Sequence, residues 1–375
     1  MIKTIIKNTI DLFLYKQARK ISHSFYSNAI HFNPILREPA EGEKEWLEKW
    51  RQYDQKLSPM AYRVFSHYIG PNLDIVPLEI CSSICEPVLT PHNFMDFYSD
   101  KNSFDLLFPA GTLPNTFLRK SRGRYLTQNY APIINRQVDD ILNGIDCKEL
   151  IVKPTLSSSG KGVEKFFRDG STWLNKKKEI LSLEYLNENY KNDCIVQEAF
   201  IQHPFFSQFN ESSVNSIRMV SYRDSLGLIH VLNSFLRIGA KGSVVDNAHA
   251  GGMFVGVDNK GRLGEYVCDQ YGRKQTFFND INFSTSSFVI PHWNSICEKV
   301  IELSHYIIHH DLIAWDVILD TEGKPHILEV NVGGYGGWAF QFTSGPMFGD
   351  YTDDVMEYVT RKMTDSELKI MFYRK

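Results

Sequence analysis

The spacing of apolar residues changes along the chain. From residue 1 to about 95 they fall mostly at helical intervals. The segment from Glu43 to Tyr68 mixes charges with Trp46, Leu47, Trp50, Tyr53, Leu57, Tyr62 and Phe65, the pattern of a helical pair. Pro87, Pro91, Ser99 and Asp100 punctuate the exit from this region. After about residue 148, short strand-like runs take over. Glu149–Lys153 predicts a buried strand, residues 154–162 a Ser/Gly loop, and Val163–Phe167 a second strand. A helical stretch is expected near Trp173–Leu186 and a strand over Cys194–Glu198. Ser216–Tyr222 and Ile229–Ile238 alternate as an antiparallel pair turning at Asp224–Gly227. Trp293–His309 carries Ile296, Val300, Leu303 and Ile307 at the spacing of a core-facing helix. Leu312–Leu319 and His326–Val330 read as a hairpin with Asp320, Glu322 and Gly323 at its turn. Many strand connections are hairpins, so the predicted class is α+β with antiparallel sheets, not a doubly wound parallel sheet.

A length of 375 residues allows two or three packed domains. The 43% hydrophobic and 23% charged content is that of an ordinary globular protein, and a net charge of −3 leaves no nucleic-acid footprint. The six cysteines are scattered; only Cys81 and Cys85 are close, and no second pair completes a zinc site. They read as free thiols in a reducing compartment, hence a cytoplasmic protein. No stretch reaches the ~18 uncharged apolar residues of a membrane span. Lys3, Lys7, Asp11 and Lys16 interrupt the N-terminus, so it lacks the apolar block of a signal peptide. Ile6, Ile10, Phe13 and Leu14 recur at helical spacing there. This helix either covers the core or lies on a membrane surface.

Three constellations could carry chemistry. In the first, Lys153 ends a strand and Ser157, Ser158, Ser159, Gly160, Lys161 and Gly162 follow. Such a loop lets backbone N–H groups approach phosphate oxygens while the lysines supply charge. It is not a Walker loop: the spacing is absent and a strand follows. In the second, Asp316 lies on one strand of the terminal hairpin, with Glu329 and Asn331 on the other. Two residues apart in a strand share a face, so three oxygen donors can converge as Mg²⁺ ligands. The third comprises Asn215 and Arg218, then Arg237, then Asn247, His249, Gly251 and Gly252. Arginines there would stabilise developing oxyanion charge, and Asn247 offers a further metal or phosphate ligand. Neither arginine has an evident acidic partner, although Asp246 is one candidate for Arg237.

Taken together these motifs resemble the ATP-grasp superfamily: lysine strand, Ser/Gly loop, Gln197–Glu198 hinge, arginine strands, Asn-x3-Gly-Gly, then Asp…Glu-x-Asn. The segments SDKNSFDLLFP around Lys101, SVNSIRMVS and DNAHAGGMFVGVD are similar to the sugar-transfer associated ATP-grasp family, over roughly residues 90 to 360. The resemblance implies an ATP-grasp fold: a helical N-terminal region over 1–95, a small subdomain over 96–192 with the phosphate loop, and a large subdomain over 193–375. ATP and Mg²⁺ are the implied cofactors. Lys101 and Lys153 would hold phosphates under the Ser157–Gly162 loop. The backbone of Gln197, Glu198, Ala199 and Phe200 would receive adenine. Asp316, Glu329 and Asn331 would bind Mg²⁺. Arg218 and Arg237 would be catalytic, with Asn215, Asn247, His249, Gly251 and Gly252 on the substrate side. One departure stands out: Ile201, Gln202 and His203 follow the hinge where many relatives place an acidic ribose ligand, and Glu211 is distant.

The implied activity is carboxylate–amine ligation through an acyl phosphate, in cell-surface polysaccharide biosynthesis. The partners would be small-molecule carboxylates and amines, such as a sugar acid or glycan precursor. A kinase acting on a hydroxyl, and a nucleotide-binding subunit without catalysis, remain open alternatives.

Overall fold

The computed structural model describes residues 2–156 and 160–364; the side chains of 2–14, 249 and 364 lie outside that description. The first of two seven-stranded sheets comprises β1 (Thr116–Ser121), β2 (Arg124–Thr127), β3 (Pro132–Ile133), β4 (Glu149–Pro154), β5 (Glu164–Asp169), β6 (Thr172–Asn175) and β7 (Cys194–Glu198). They stand in the order β3-β2-β1-β7-β4-β5-β6, all neighbours antiparallel. Five strands of the second sheet follow: β8 (Ile217–Arg223), β9 (Ile229–Ile238), β10 (Met253–Val257), β11 (Val267–Cys268) and β12 (Lys274–Gln275). A separate small hairpin, β13 (Phe277–Phe278) and β14 (Ile281–Asn282), intervenes. The hairpin β15 (Leu312–Leu319) and β16 (Pro325–Asn331) completes the second sheet, in the order β12-β11-β10-β9-β8-β15-β16. The class is α+β with antiparallel sheets, as the strand spacing predicts.

Alternation assigns each face of the first sheet. Leu150 and Val152 of β4 enter a core with Leu118, Phe166, Trp173 and Leu186, while Ile151 and Lys153 face a cleft on the other side. The strand Cys194–Glu198, expected in the segment 193–375, is instead the centre of this first sheet. It pairs with both β1 and β4, which supply the hydrogen bonds its buried backbone needs.

The helical stretch expected near Trp173–Leu186 is also corrected. Gly170, at φ +59°, closes a tight turn, and Thr172–Asn175 pairs back onto β5. Trp173 is buried, its indole N–H donating to the Leu142 carbonyl at 2.8 Å. The helix begins only at Leu183, where the Ser182 hydroxyl accepts from the Tyr185 N–H at 3.2 Å. The helix expected through His309 likewise ends at Ser304, although Ile307 stays buried.

The second sheet is covered on both sides, so all eight residues of β15 are buried. Helix Trp293–Ser304 packs under one face, against Trp315 and Val317. The other face, with Val220, Phe235 and Ala314, packs against N-terminal helices Glu43–Arg51 and Met60–Ile69 and C-terminal helices Gly337–Thr343 and Thr352–Thr364. The first helix spans Ile2–Phe32 and buries Tyr26, Ala29 and Ile30 in the same layer. Tyr26 donates its hydroxyl to Glu79 at 2.9 Å. Ile6, Ile10, Phe13 and Leu14 lie outside the described side chains. Among the described residues no helix is long and apolar enough to cross a membrane. All six cysteines are free.

Candidate active site

A cleft of about 470 Å³ lies between the two sheets. Its floor is the end of the second sheet that the helical layer leaves uncovered. Strand register builds that floor: Phe235 pairs with Arg218, Arg218 with Asp316, and Asp316 with Glu329, a row across four strands. Arg237 and Asn331 lie two residues along from the ends of this row and share its face. Between Asp316 and Val317 the pairing shifts, because Glu329 opposes Asp316 while Ile327 opposes Val317. Leu328 is the extra residue of a β-bulge. Leu328 and Glu329 consequently both line the cleft, while Ile327 and Val330 stay buried.

Both arginines have acidic partners: Asp246, the candidate named for Arg237, does pair with it, and Asp316, which the sequence did not point to, pairs with both. Arg218 Nε donates to Asp316 Oδ1 at 2.5 Å and Nη2 to Oδ2 at 3.2 Å. Arg237 reaches Asp316 Oδ2 at 3.1 Å and Asp246 Oδ1 at 2.5 Å. Asp246 Oδ2 accepts in turn from the Ser216 amide at 3.0 Å and hydroxyl at 2.6 Å. Burial pushes the Asp316 carboxyl up, but the Arg218 and Arg237 charges outweigh it and hold the group below the usual carboxylate range. Burial likewise works against the Arg237 charge, and Asp246 followed by Asp316 more than offsets it. Arg237 Nε and Asn331 Nδ2 are buried without a hydrogen-bond partner among the described residues.

The first sheet supplies the opposite wall. Ile151 and Lys153 of β4 point into the cleft, with Val163 and Phe200 nearby. The Lys153 ammonium makes no hydrogen bond or ion pair among the described residues. Its burial, and then the neighbouring Lys101 charge, push the ammonium down to about 8. Lys101 sits on the turn after helix Met95–Ser99, tied to the first sheet by its N–H on the Thr155 carbonyl at 3.2 Å. Its ammonium crosses to the other sheet and donates to Glu329 Oε1 at 2.8 Å.

The structure divides the remaining candidates. Gly160, Gln197, Glu198, Phe200 and Asn247 line the cleft. Gly160 and Gly162 both have positive φ, +69° and +73°. A Cβ on Gly160 would stand 3.1 Å from Val245 of the facing loop, so the small residue lets the Ser/Gly loop approach the second sheet. Ser157, Ser158 and Ser159 lie outside the described residues, as does the His249 side chain. Lys161 is exposed and off the cleft wall. Ala199 packs beside the hinge, its N–H on the Glu149 carbonyl at 3.0 Å.

Asn215 is removed from the substrate side. It is fully buried, donating to the Phe206 and Asn210 carbonyls at 2.9 and 2.8 Å and accepting from the Gly239 N–H at 3.2 Å. Gly251 and Gly252 shape the backbone rather than face the cleft. A Cβ on Gly252 would meet three carbonyl oxygens at 2.7 to 2.9 Å. Sequence reasoning missed Ile151, Leu328 and Trp338 as cleft walls. The i, i+2 spacing of Ile151 and Lys153 was an available signal; the bulge at Leu328 and the docking of Trp338 left none.

The model of the sugar-transfer associated ATP-grasp family matches residues 91–352. The chain belongs to this family. As an ATP-grasp enzyme it falls in a class made up mostly of ATP-dependent ligases, which typically use ATP with Mg²⁺. No curated protein matches the chain. Among solved structures, a D-cycloserine synthetase shares 12% identity at a TM-score of 0.42, covering 72% of this chain and 73% of its own. An L-amino acid ligase from Bacillus licheniformis shares 12% identity at 0.37, covering 84% of this chain, which spans 62% of that protein. D-alanyl-alanine synthetase A from Vibrio cholerae shares 12% at 0.39, covering 72% and 66%. The family match begins after the N-terminal helices, so those helices add to the matched region.

Proposed function

We propose that this ATP-grasp enzyme is a carboxylate–amine ligase that acts through an acyl phosphate in cell-surface polysaccharide biosynthesis. The observation that carries the reading is the guanidinium pair Arg218 and Arg237, held on the same cleft as the lysine pair Lys101 and Lys153. The lysines suit nucleotide phosphates, and the fork geometry of the arginines suits a carboxylate and the oxyanion that develops on it.

The donors present fit a phosphate-bound Mg²⁺. Among the described residues no group of three or more His, Cys, Asp or Glu side chains could hold a metal alone. Mg²⁺ commonly takes one or two protein carboxylates and completes its shell with phosphate and water. Glu329 and Asn331, on one face of β16, would hold it; Asp316, whose oxygens both accept from arginine, chiefly fixes the guanidinium groups. When bound, the ion neutralises charge on the transferred phosphoryl group.

In the resulting scheme Lys153 and Lys101 hold the phosphates, and the hinge from Gln197 to Phe200 receives adenine against Ile151 and Leu328. The substrate carboxylate attacks the γ-phosphorus and ADP leaves. Arg218 and Arg237 stabilise the acyl phosphate until an amine attacks its carbonyl carbon and phosphate departs. The side chains position and neutralise; none forms a covalent bond. The test is ADP and free-phosphate release screened over amino acids, sugar acids and their nucleotide-linked forms. An amide formed in proportion to ADP and phosphate is expected. A stable phosphorylated product would assign a kinase instead.

A further inference from the structure

A second cavity of about 560 Å³ runs beside the cleft, and Trp338 lines both. One wall of this groove is a single stripe of the first helix: Gln17, Lys20, Ile21, Ser24, Phe25 and Asn28, at helical spacing. The other wall is Gln270, Tyr271 and Trp338. Trp338 is fixed by neighbouring rings: Phe25 at 5.6 Å, Phe254 at 5.5 Å and Phe342 at 6.1 Å. Tyr271 is fixed by Phe32 at 4.8 Å and by the Arg273 guanidinium at 5.7 Å.

The groove's chemistry is specific. The side chains of Gln17, Lys20, Ser24, Asn28 and Gln270 make no hydrogen bond or ion pair among the described residues, and the Trp338 indole N–H makes no hydrogen bond there either. Amides, a hydroxyl and one ammonium therefore converge beside the partly exposed rings of Phe25, Tyr271 and Trp338. Rings with a polar neighbour suit a ligand with apolar C–H faces and a hydroxyl rim. Lys20 adds a preference for an anion. The volume falls within the roughly 300–1,000 Å³ of small-molecule sites. Because Trp338 is a wall of both, the groove lies next to the cleft where the acceptor must present its reacting group.

We infer that this groove is the acceptor site and takes the sugar portion of an acidic saccharide, whose reacting end reaches the cleft past Trp338. The inference rests on the ligase reading for what happens in the cleft, but saccharide binding in the groove does not depend on turnover. It also gives the first helix, which lies outside the family match, a direct part in recognition.

The experiment is calorimetric titration of the full chain, saturated with a non-hydrolysable ATP analogue, with di- and trigalacturonate as probes and maltotriose as the neutral control. Both uronates are expected to bind, and maltotriose more weakly. Tyr271→Ala and Lys20→Glu should each weaken uronate binding by about tenfold or more. Nucleotide affinity of the same variants reports on the integrity of the cleft. No binding of either uronate, binding unmoved by both variants, or an equal loss of nucleotide affinity would each overturn the proposal. Galacturonate-dependent ADP release, run in parallel, tests the ligase reading separately: uronate binding without ADP release with any carboxylate would sink that reading and leave the groove assignment standing.

Discussion

Asp316 and Glu329 face each other in register on neighbouring strands, and each carboxylate is neutralised from a different side. Two like charges directly opposite would repel. Arg218 and Arg237 hold Asp316 within its own sheet, whereas Lys101 reaches Glu329 from the other sheet. The Glu329 pair therefore spans the cleft between the sheets, and the Asp316 pairs underlie it.

The two carboxylates should fail differently. Glu329→Gln is expected to abolish turnover at saturating Mg-ATP with a smaller loss of folding stability than Asp316→Asn, because Glu329 is partly solvated although its partner Lys101 is buried. Asp316→Asn should also abolish turnover but weaken the fold by about 3–5 kcal/mol, since it strands the buried Arg218 charge and leaves Arg237 to Asp246 alone. Urea unfolding and turnover on both variants check this. Wild-type turnover in Glu329→Gln would reject its metal role, and wild-type stability in Asp316→Asn would reject the arginine-holding role.

Asp316 also gives stability a pH dependence. Its folded pKa lies below the ordinary carboxylate value, so its contribution is complete above the unfolded value of about 3.9 and is lost as pH falls through the folded value. Asp316→Asn should flatten the acid limb of stability against pH. An unchanged acid limb would show that other carboxylates set it.

If Lys153 holds phosphate as proposed, it should set an alkaline limit on nucleotide binding. Its ammonium is depressed to about 8, so it loses charge as pH rises past that point, and phosphate binding favours the charged form. Mg-ATP affinity should fall between pH 7 and 9, and nucleotide binding near pH 8 should take up a proton. For stability the sign is separate: the cost of burying the charge is full below about 8 and is relieved as pH climbs toward 10.4, the ordinary lysine value. Lys153→Ala should weaken binding or chemistry by roughly 10²-fold and remove the pH effect. Titrations at the two pH values in wild type and variant decide it.

Arg237→Met should leave nucleotide affinity within a few-fold of wild type and lower ligation by about 10²–10³-fold. Asp246 keeps its Ser216 hydrogen bonds in this variant, which limits collapse around it. Equal losses of nucleotide binding and product formation would place Arg237 outside the acyl-transfer step.

Asn215→Ala separates a structural asparagine from a substrate ligand. It should destabilise the chain by about 1–3 kcal/mol by leaving buried carbonyls and the Gly239 N–H unpaired. In the fraction that folds, the acceptor KM should match wild type; a KM rise without a stability loss would restore the substrate role.

Local pattern carried much of this protein. The β15–β16 hairpin, the β8–β9 pair and the lysine strand β4 were legible because alternation and turn residues act over a few neighbours. The pairing of Glu329 and Asn331 on one face followed from the same two-residue period. The motif set was enough to identify the ATP-grasp family. What sequence could not supply was anything fixed by which strands become neighbours. Register across β8, β9 and β15 gave Arg218 and Arg237 a shared acidic partner, Asp316, 98 and 79 positions away. A bulge turned Leu328 toward the cleft, and packing made Cys194–Glu198 the centre of the first sheet and buried Asn215 in a backbone network. These outcomes depend on contacts between distant segments, whose hydrogen bonds and charges must be satisfied together in three dimensions, and no short-range spacing records them.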